Sequence, residues 1–294
     1  MNCPISPLLQ LSQVPYLSMV SEQAQQNAVE ACVDSLRGEA DRNAHEKQRY
    51  SSIARGSLDA PQLLQAQQYM ELLMTQNAKM NLTAAADMEE AFQMHVEDSL
   101  ALLPALDAAA LEHAQTVDLH GGHGHPQFRI IDVGSGAGLP GVIIAIARPA
   151  WKVTLLDSLR KRCQFVEMAV QHIGIQNTHV VWSRAEEAGQ SQQHREVYDV
   201  AIARAVARMR VLVELCLPMV KPGGYCLAAK GPDCQKEVAE AEEAIAILQG
   251  KLVSISKVEA FGSVGQHVAV LLRKVANTPA QYPRHPGKPG KRPL

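Results

Sequence analysis

The chain has 294 residues, a length that accommodates one large domain or two modest ones. An apolar share of 47% with only 4% aromatic residues is typical of a globular α/β protein and excludes a largely disordered chain. No apolar run approaches the ~20 residues of a membrane span, and no signal-peptide pattern is present, so we expect a cytoplasmic protein without a membrane partner. Six cysteines without a CxxC pair predict neither a disulfide framework nor a zinc site.

The net charge of -2 conceals an uneven distribution. Residues 58–127 carry ten acidic residues against one Lys, residues 128–272 carry fourteen acidic against sixteen basic residues, and residues 273–294 carry six basic residues and no acidic one. Positive potential attracts the phosphates of nucleic acids. We therefore expect any nucleic-acid contact in the second half of the chain and its tail, and we expect the acidic segment to face away from it.

The first part of the chain is predicted to be helical or poorly ordered. Residues 1–56 are polar and weakly periodic, and we predict a poorly ordered extension there. Residues 57–127 are predicted to hold a helical cap, with helices over 58–81 and 87–103, and a His-rich linker over 113–127. No carboxylate or thiol cluster accompanies the four histidines of this linker, so a solvated loop is favoured over a metal site. These histidines are His113, His120, His123 and His125.

Residues 128–275 alternate strand-like and helix-like segments, which predicts an α/β domain with a doubly wound, mostly parallel, seven-stranded sheet. Strands are predicted at 129–133, 152–157, 178–182, 198–203, 224–230, 252–260 and 267–273. Helices are predicted at 140–148, 159–173, 207–219 and 234–249. The remaining residues, 276–294, form a basic, Pro-rich tail. This tail suits phosphate contact, or equally an ordered arm packed on the sheet with Tyr282 as its anchor.

The segment DVGSGAGLPG, residues 132–141, carries the strongest functional signal. Its glycines follow a buried strand and permit backbone torsions that bring a ligand close to the main chain. Because so many glycines cost conformational entropy on folding, we expect them to serve a ligand rather than packing. Free N–H groups at the following helix favour a carboxylate or phosphate. Asp157 ends the next strand, where an acidic side chain binds a ribose diol in doubly wound folds.

Two cofactor classes fit this turn. Gly136, Gly138 and Gly141 satisfy the dinucleotide pattern G-x-G-x-x-G, which keeps an NAD-dependent oxidoreductase as an alternative. Asp132 favours S-adenosylmethionine, because its carboxylate would meet the ammonium of the methionine moiety and would repel a pyrophosphate. A non-catalytic RNA- or ribosome-binding module is a third possibility.

Four segments closely resemble the bacterial small-subunit (16S) ribosomal RNA guanine-N7 methyltransferases, also called glucose-inhibited division protein B. They are DVGSGAGLPG (132–141), LLDSLRKR (155–162), SRAEE (183–187) and ARAVA (203–207). The resemblance continues in order through NAKMNLTA (77–84), HVEDSLALLPAL (95–106), AAKG (228–231) and TPAQYPRHPGKPGKRPL (278–294). It covers residues 58–294 and implies a Rossmann-like class I methyltransferase fold.

The resemblance also implies S-adenosylmethionine as cofactor, with contacts at Gly134, Leu139, Ala185, Glu186 and Arg204. We expect Asp132, Gly136, Gly138 and Asp157 in the same pocket. The implied substrate is small-subunit ribosomal RNA or a ribosomal particle, with no DNA partner, and a monomer is expected. The chain departs from the family in its N-terminal extension, its longer His-rich linker and Gln266-His267, where many relatives have an arginine-led segment.

The predicted chemistry needs positioning rather than a general base, because guanine N7 already presents a lone pair. The sequence has no [DNS]PP[YF] segment for an exocyclic amine and no Pro-Cys pair for pyrimidine C5 methylation. We therefore predict no catalytic residue in the strict sense, with Arg204 and Lys230 as positioning candidates. His95 and Asp98 share one helix face, either with a direct role or as a pair that closes the cap. The candidates for RNA binding are Arg160, Lys161, Arg162, Arg208, Arg284 and Lys288.

Overall fold

The structure is a computed structural model that describes residues 56–119, 127–204, 207–232, 234–258 and 267–294. Residues 1–55 of the predicted extension, and the three histidines at 120, 123 and 125, lie outside the described residues. Within the described ranges, no helix is long and apolar enough to cross a membrane. The same part of the chain contains no group of His, Cys, Asp and Glu side chains that could hold a metal ion.

Helix α1, Ala60–Met80, opens the cap. Asp59 begins it with a capping box, in which the Asp59 carboxylate accepts from Gln62 N and the Gln62 side chain accepts from Asp59 N, each at 2.9 Å. The helix ends at Asn81, whose φ of 49° is left-handed. Both ends agree with the sequence prediction. The buried face comprises Ala66, Tyr69, Met70 and Leu73.

The second part of the cap is less regular than its sequence suggests. Asp87 accepts from Glu90 N at 2.9 Å and caps α2, Met88–Ala91, as predicted. The chain then widens into a π-helical turn, Phe92–Glu97, and continues through α3, Asp98–Leu100. Hydrophobic periodicity does not reveal a π-helical turn, because the wider turn inserts only one residue into the helical pattern.

The next helix, α4, spans Leu103–Leu119, so the prediction that a loop begins at His113 is wrong. Long-range contacts hold the end of this helix against the sheet. Arg273 Nη2 lies 2.6 Å from Glu112 Oε1, and the Tyr225 hydroxyl donates to the same carboxylate. His113 Nδ1 lies 3.0 Å from a carboxylate oxygen of Asp199. These partners lie far away in sequence, and local patterns therefore could not indicate the extension.

The seven predicted strands are all present and form one sheet in the order β3-β2-β1-β4-β5-β7-β6. Strands β1 to β5 are parallel to one another, and β7 is inserted antiparallel between β5 and β6. The doubly wound, mostly parallel sheet predicted from the sequence is thereby confirmed. The strands are β1 Arg129–Val133, β2 Lys152–Asp157, β3 Thr178–Trp182, β4 Tyr198–Arg204, β5 Val220–Lys230, β6 Gly250–Val258 and β7 His267–Lys274.

Helices cover the sheet at nearly all the predicted places. They are α5 Gly141–Ala147, α6 Arg160–His172, α7 Ala185–Ala188, α8 Met209–Cys216, α9 Cys234–Glu240, α10 Glu242–Ile247 and α11 Lys288–Lys291. The helix predicted over 234–249 is divided into α9 and α10 at Ala241. The one predicted over 207–219 ends in a 3-10 turn, Leu217–Met219, which contains Pro218.

The strand order decides where a site can form. From β1 the sheet continues through β2 and β3 on one side and through β4 on the other. Connections that leave the carboxyl ends of β1 and β4 therefore diverge, which opens a crevice at this edge of the sheet. The glycine turn follows β1, and Asp157 and Arg204 end β2 and β4. The topology thus brings three predicted site segments to one edge.

Candidate active site

The glycine turn after β1 is fixed by hydrogen bonds to the end of β2. Gly134 N and Ser135 N donate to Leu156 O at 2.8 and 3.0 Å. Gly136 N donates to Asp157 Oδ2 at 2.9 Å, and Leu159 N donates to the other oxygen at 2.8 Å. Gly134, Gly136 and Gly138 all have positive φ values, between 59° and 78°, which side chains rarely adopt. Asp157 therefore holds the turn and the start of α6 together.

Two of the four glycines serve packing, which corrects the expectation that the glycines serve only a ligand. A Cβ on Gly138 would lie 2.5 Å from the Tyr69 hydroxyl, and a Cβ on Gly141 would lie 2.9 Å from Asp132 Oδ2. The Tyr69 hydroxyl itself donates to Ala137 O at 2.7 Å, which joins α1 to the turn. Around Gly136 the nearest atom to an added Cβ is 3.9 Å away. An added Cβ at Gly136 would thus meet Arg162 Nη1 at an ordinary van der Waals distance, so packing does not exclude a side chain there.

A cavity of about 270 Å³ opens beyond the carboxyl ends of β1 and β2. It brings together four residues predicted for the cofactor, namely Gly134, Asp157, Ala185 and Glu186. The other five residues predicted for the cofactor are not in its wall, namely Asp132, Gly136, Gly138, Leu139 and Arg204. The complete lining consists of Val133, Gly134, Leu156, Asp157, Ser158, Ser183, Arg184, Ala185, Glu186, Ala207, Val211, Leu215, Gly287, Pro289 and Gly290.

The tail supplies one wall of this cavity, and sequence reasoning missed that contribution. Gly287, Pro289 and Gly290 line the cavity, and Gly287 N donates to Glu186 Oε1 at 2.8 Å. The segment 278–294 matched the family pattern, but only the folded chain shows where it lies. Its position agrees with the ordered-arm alternative.

Glu186 is 4% exposed and stands between the cavity and the tail. Burial by itself would raise its pKa, but the hydrogen bonds from Gly287 N and from Arg184 Nη2, the latter at 3.1 Å, outweigh burial and lower the pKa below its usual value. Glu186 is therefore an anion at neutral pH and attaches the tail through a backbone N–H.

A second polar cluster lies at the ends of β1 and β4, against the cap. Asp132 is 1% exposed, and its Oδ2 accepts from Gly141 N at 2.9 Å. Its Oδ1 has no hydrogen-bond partner among the described residues. Burial raises the pKa of Asp132 to about 7, although the Gly141 hydrogen bond and the charge of Arg204 act in the opposite direction. An unpartnered buried carboxylate oxygen is costly and indicates a missing donor.

The π-helical turn places the His95 ring beside the Arg204 guanidinium. Arg204 donates to Met94 O at 3.2 Å, and its Nη2 lies 3.2 Å from His95 Nδ1. Since a guanidinium only donates, His95 Nδ1 accepts, and Nε2–H donates to Thr83 Oγ1 at 2.6 Å. Burial and the charge of Arg204 lower the pKa of His95 to about 4, so the ring is neutral at physiological pH. His95 thus fixes the orientation of the Arg204 guanidinium through a ring that Thr83 holds in turn.

The predicted basic residues differ in their surroundings. Arg160, Lys161, Arg208 and Lys288 are exposed, and Arg162 Nη1 lies 3.9 Å from Asp157 Oδ2. These four exposed residues remain candidates for RNA contact.

Two other basic candidates have their charges bound by protein carboxylates. The Arg284 guanidinium makes two hydrogen bonds to the fully buried Glu214, at 2.8 and 2.6 Å. Lys230 Nζ donates to Glu237 Oε1 at 2.7 Å and to Ala207 O. These contacts support a role of both residues in anchoring the fold. RNA contact by Arg284 and positioning of the reactants by Lys230 stay predictions.

The fold and the site together define a class of protein. A seven-stranded sheet with one inserted antiparallel strand, a glycine turn after β1 and an acidic residue at the end of β2 make this a Rossmann-like class I methyltransferase fold.

Comparison with known proteins gives the family. The model of the family GidB, rRNA small subunit methyltransferase G, matches residues 62–267. The chain is 40% identical over 237 residues to the ribosomal RNA small subunit methyltransferase G of Alkaliphilus metalliredigens, covering 81% of this chain and 92% of that protein. It is 42% identical over 231 residues to the protein of the same name from Symbiobacterium thermophilum, covering 77% and 87%.

The chain therefore belongs to the rRNA small subunit methyltransferase G family, a family of methyltransferases, as the sequence motifs predicted. Of the activities that the glycine turn left open, methyl transfer is the one that agrees with this family.

Proposed function

We propose that this protein transfers a methyl group from S-adenosylmethionine to N7 of a guanine in small-subunit (16S) ribosomal RNA. The observation that carries the proposal is the cavity at the edge of the sheet, where Gly134, Asp157 and Glu186 meet. The relatives named above are called ribosomal RNA small subunit methyltransferases, which supports RNA as the substrate. The choice of guanine N7 rests on the resemblance of the ordered sequence motifs to the guanine-N7 enzymes.

The donor and acceptor groups at this edge suit S-adenosylmethionine. The buried Oδ1 of Asp132 needs a donor, and the ammonium of the methionine moiety is one. Each Asp157 oxygen accepts one backbone N–H and keeps a lone pair for a ribose hydroxyl. Gly134 and Gly136 allow the ligand to approach the main chain. A dinucleotide fits less well, since its pyrophosphate would lie near the buried Asp132 carboxylate.

The reaction needs positioning by the chain and no proton abstraction. When bound, S-adenosylmethionine supplies a methyl group on a positively charged sulfur, which a guanine N7 lone pair can attack directly. The protein residues then hold the two reactants in line and keep water out, which accounts for most of the rate in such displacements. Arg204, fixed by His95 and by Met94 O, is suited to orient groups near Asp132. Because guanine N7 attacks through its own lone pair, the step requires no proton transfer by His95.

Two measurements test the proposal. Calorimetry of the purified chain with S-adenosylmethionine is expected to give saturable binding, and NAD serves as the control ligand. Mass spectrometry of nucleosides from small-subunit ribosomal RNA is expected to show N7-methylguanosine in the parent strain and its loss in a deletion strain. The proposal is refuted if the chain does not bind S-adenosylmethionine and the deletion strain retains the modified nucleoside. Assays on protein-free RNA and on ribosomal particles then establish the form of the substrate.

A further inference from the structure

An exposed tryptophan stands beside the cavity. Trp182 is the last residue of β3, which forms one edge of the sheet, and 59% of it is exposed. Its indole Nε1 donates to Ser158 O at 3.1 Å, which fixes the orientation of the ring. The guanidinium of Arg160 lies 5.0 Å from the ring centroid, at cation-π distance. A large aromatic ring is thus held in place at the surface.

The surroundings of this ring are basic and adjoin the proposed cofactor cavity. Ser158, which accepts the indole N–H, lines that cavity, and so does Ser183, the residue that follows Trp182. Arg160 and Lys161 are exposed and, within the described part of the chain, form no ion pair. Their charges are therefore available to phosphates.

We propose that Trp182 and Arg160 form a stacking platform for an unpaired base of the RNA substrate, beside the proposed cofactor cavity. This inference rests on the proposed function. Aromatic rings bind single-stranded RNA because every base has a π-face, and neighbouring cations bind the backbone. A fixed, exposed indole with the Arg160 guanidinium over it and the exposed Lys161 nearby matches that chemistry. The platform favours an unpaired segment as the substrate, since a paired base is already stacked in its helix.

The fluorescence of Trp182 reports stacking directly. The chain has two tryptophans, and the other one, Trp151, is 8% exposed and packs against Phe128 with ring centroids 5.0 Å apart. In a Trp151→Phe variant, Trp182 is the only tryptophan. Titration of this variant with a short single-stranded oligoadenylate is expected to quench the emission, and added salt is expected to weaken the binding. A titration that leaves the emission unchanged overturns the inference.

Enzyme kinetics test whether the platform serves the substrate. Trp182→Ala is expected to raise KM for protein-free small-subunit ribosomal RNA by about tenfold, the range found for loss of one base stack. Trp182→Phe keeps a ring and is expected to retain most of the affinity. The matched control is Leu252→Ala, which removes a large side chain that is 41% exposed on β6, at the opposite edge of the sheet. It is expected to leave KM unchanged.

The outcomes separate this inference from the proposed function. If Trp182→Ala behaves like Leu252→Ala, or if it weakens S-adenosylmethionine binding instead of RNA binding, the platform does not exist. The parent protein would then still bind the cofactor and methylate RNA, so the proposed function would stand. If the parent protein neither binds S-adenosylmethionine nor methylates RNA, the proposed function itself has failed.

Discussion

The tail is predicted to contribute to cofactor binding through the cavity wall that it forms, and Arg284→Ala tests this. Arg284 holds the tail by three hydrogen bonds to Glu214, from its backbone N at 2.9 Å, from Nε at 2.8 Å and from Nη2 at 2.6 Å. Glu214 is fully buried, whereas 17% of the Arg284 side chain is exposed. Removing one partner of a buried ion pair costs about 3–5 kcal/mol, because the other charge is left buried and unpaired. Because Arg284 is partly exposed, the expected loss of stability is about 3 kcal/mol.

Loss of this anchor is expected to affect the cavity as well as the fold. The wall formed by Gly287, Pro289 and Gly290 follows Arg284 directly in the chain. Arg284→Ala is therefore expected to lower the free energy of unfolding, measured by urea denaturation, and to raise the Kd of S-adenosylmethionine, measured by calorimetry.

Two further variants control this experiment. Arg292→Ala removes the same charge from an exposed position of the same tail and is expected to change the free energy of unfolding by less than about 0.5 kcal/mol. The double variant Glu214→Leu/Arg284→Met removes both charges and is expected to regain most of the stability. If Arg284→Ala and Arg292→Ala have equal stability and equal Kd, the reasoning about the tail is wrong.

Two more predictions concern the glycine turn and its carboxylate. The pKa of Asp132 is about 7 in the folded chain, above its ordinary value of 3.8, so the folded state binds the proton more tightly than the unfolded state. The raised pKa of Asp132 contributes a fall in the free energy of unfolding of the cofactor-free protein as pH rises from about 4 to about 7, whereas the lowered pKa of His95 contributes a rise from about 4 to about 6.5. Asp132→Asn removes the first contribution and should make the free energy of unfolding rise more steeply with pH, in denaturation measured across that range. Gly138→Ala should cost about 1–3 kcal/mol in urea denaturation, since the new methyl group would meet the Tyr69 hydroxyl at 2.5 Å in a left-handed backbone. Gly136→Ala, with the nearest atom 3.9 Å away, should cost less stability and should weaken S-adenosylmethionine binding more.

Each of these two predictions has a contrary result. A pH profile of stability that Asp132→Asn leaves unchanged would assign the titration to another group. Equal losses of stability for Gly138→Ala and Gly136→Ala would show that the close approach of Tyr69 does not distinguish the two positions.

Local patterns predicted most of the fold because they report on local physics. The strands β1, β2 and β4 are mainly apolar and are buried at all but one residue each, as expected for strands that are covered on both faces of a parallel sheet. The helix start at Asp87 was recognisable because capping acts over three residues. The sheet and its order of elements followed from the same signals.

The features that the sequence did not reveal depend on contacts between distant residues. The end of α4 is held by Arg273 and Asp199, and the tail by Glu214 and Glu186. The glycines at 138 and 141 looked like ligand-binding residues because Tyr69 and Leu155, which fill the space around them, are not their neighbours in sequence. The predicted site residues at the ends of strands lie at one edge of the sheet because of its topology. The part of the cavity wall that the tail forms was not predicted from the sequence.

The cap and the tail are expected to contact different ends of the cofactor. The unpartnered oxygen of Asp132 lies beside Arg204, which contacts the cap, whereas Glu186 and Gly287 lie at the tail side of the cavity. If Asp132 binds the ammonium of the methionine moiety, Asp132→Asn should weaken the binding of S-adenosylmethionine. The binding of methylthioadenosine, which has no ammonium, should be almost unaffected.

Arg284→Ala should weaken the binding of both ligands, because the cavity wall formed by the tail is expected to face the adenosine portion that they share. Calorimetry of the two ligands with each of the two variants gives four dissociation constants. They are compared between the ligands for each variant and between the variants for each ligand. A loss of methylthioadenosine affinity in Asp132→Asn equal to the loss for S-adenosylmethionine would refute the assignment of Asp132 to the ammonium. It would also show that the polar cluster acts on the cavity as a whole, through Gly141 and the glycine turn.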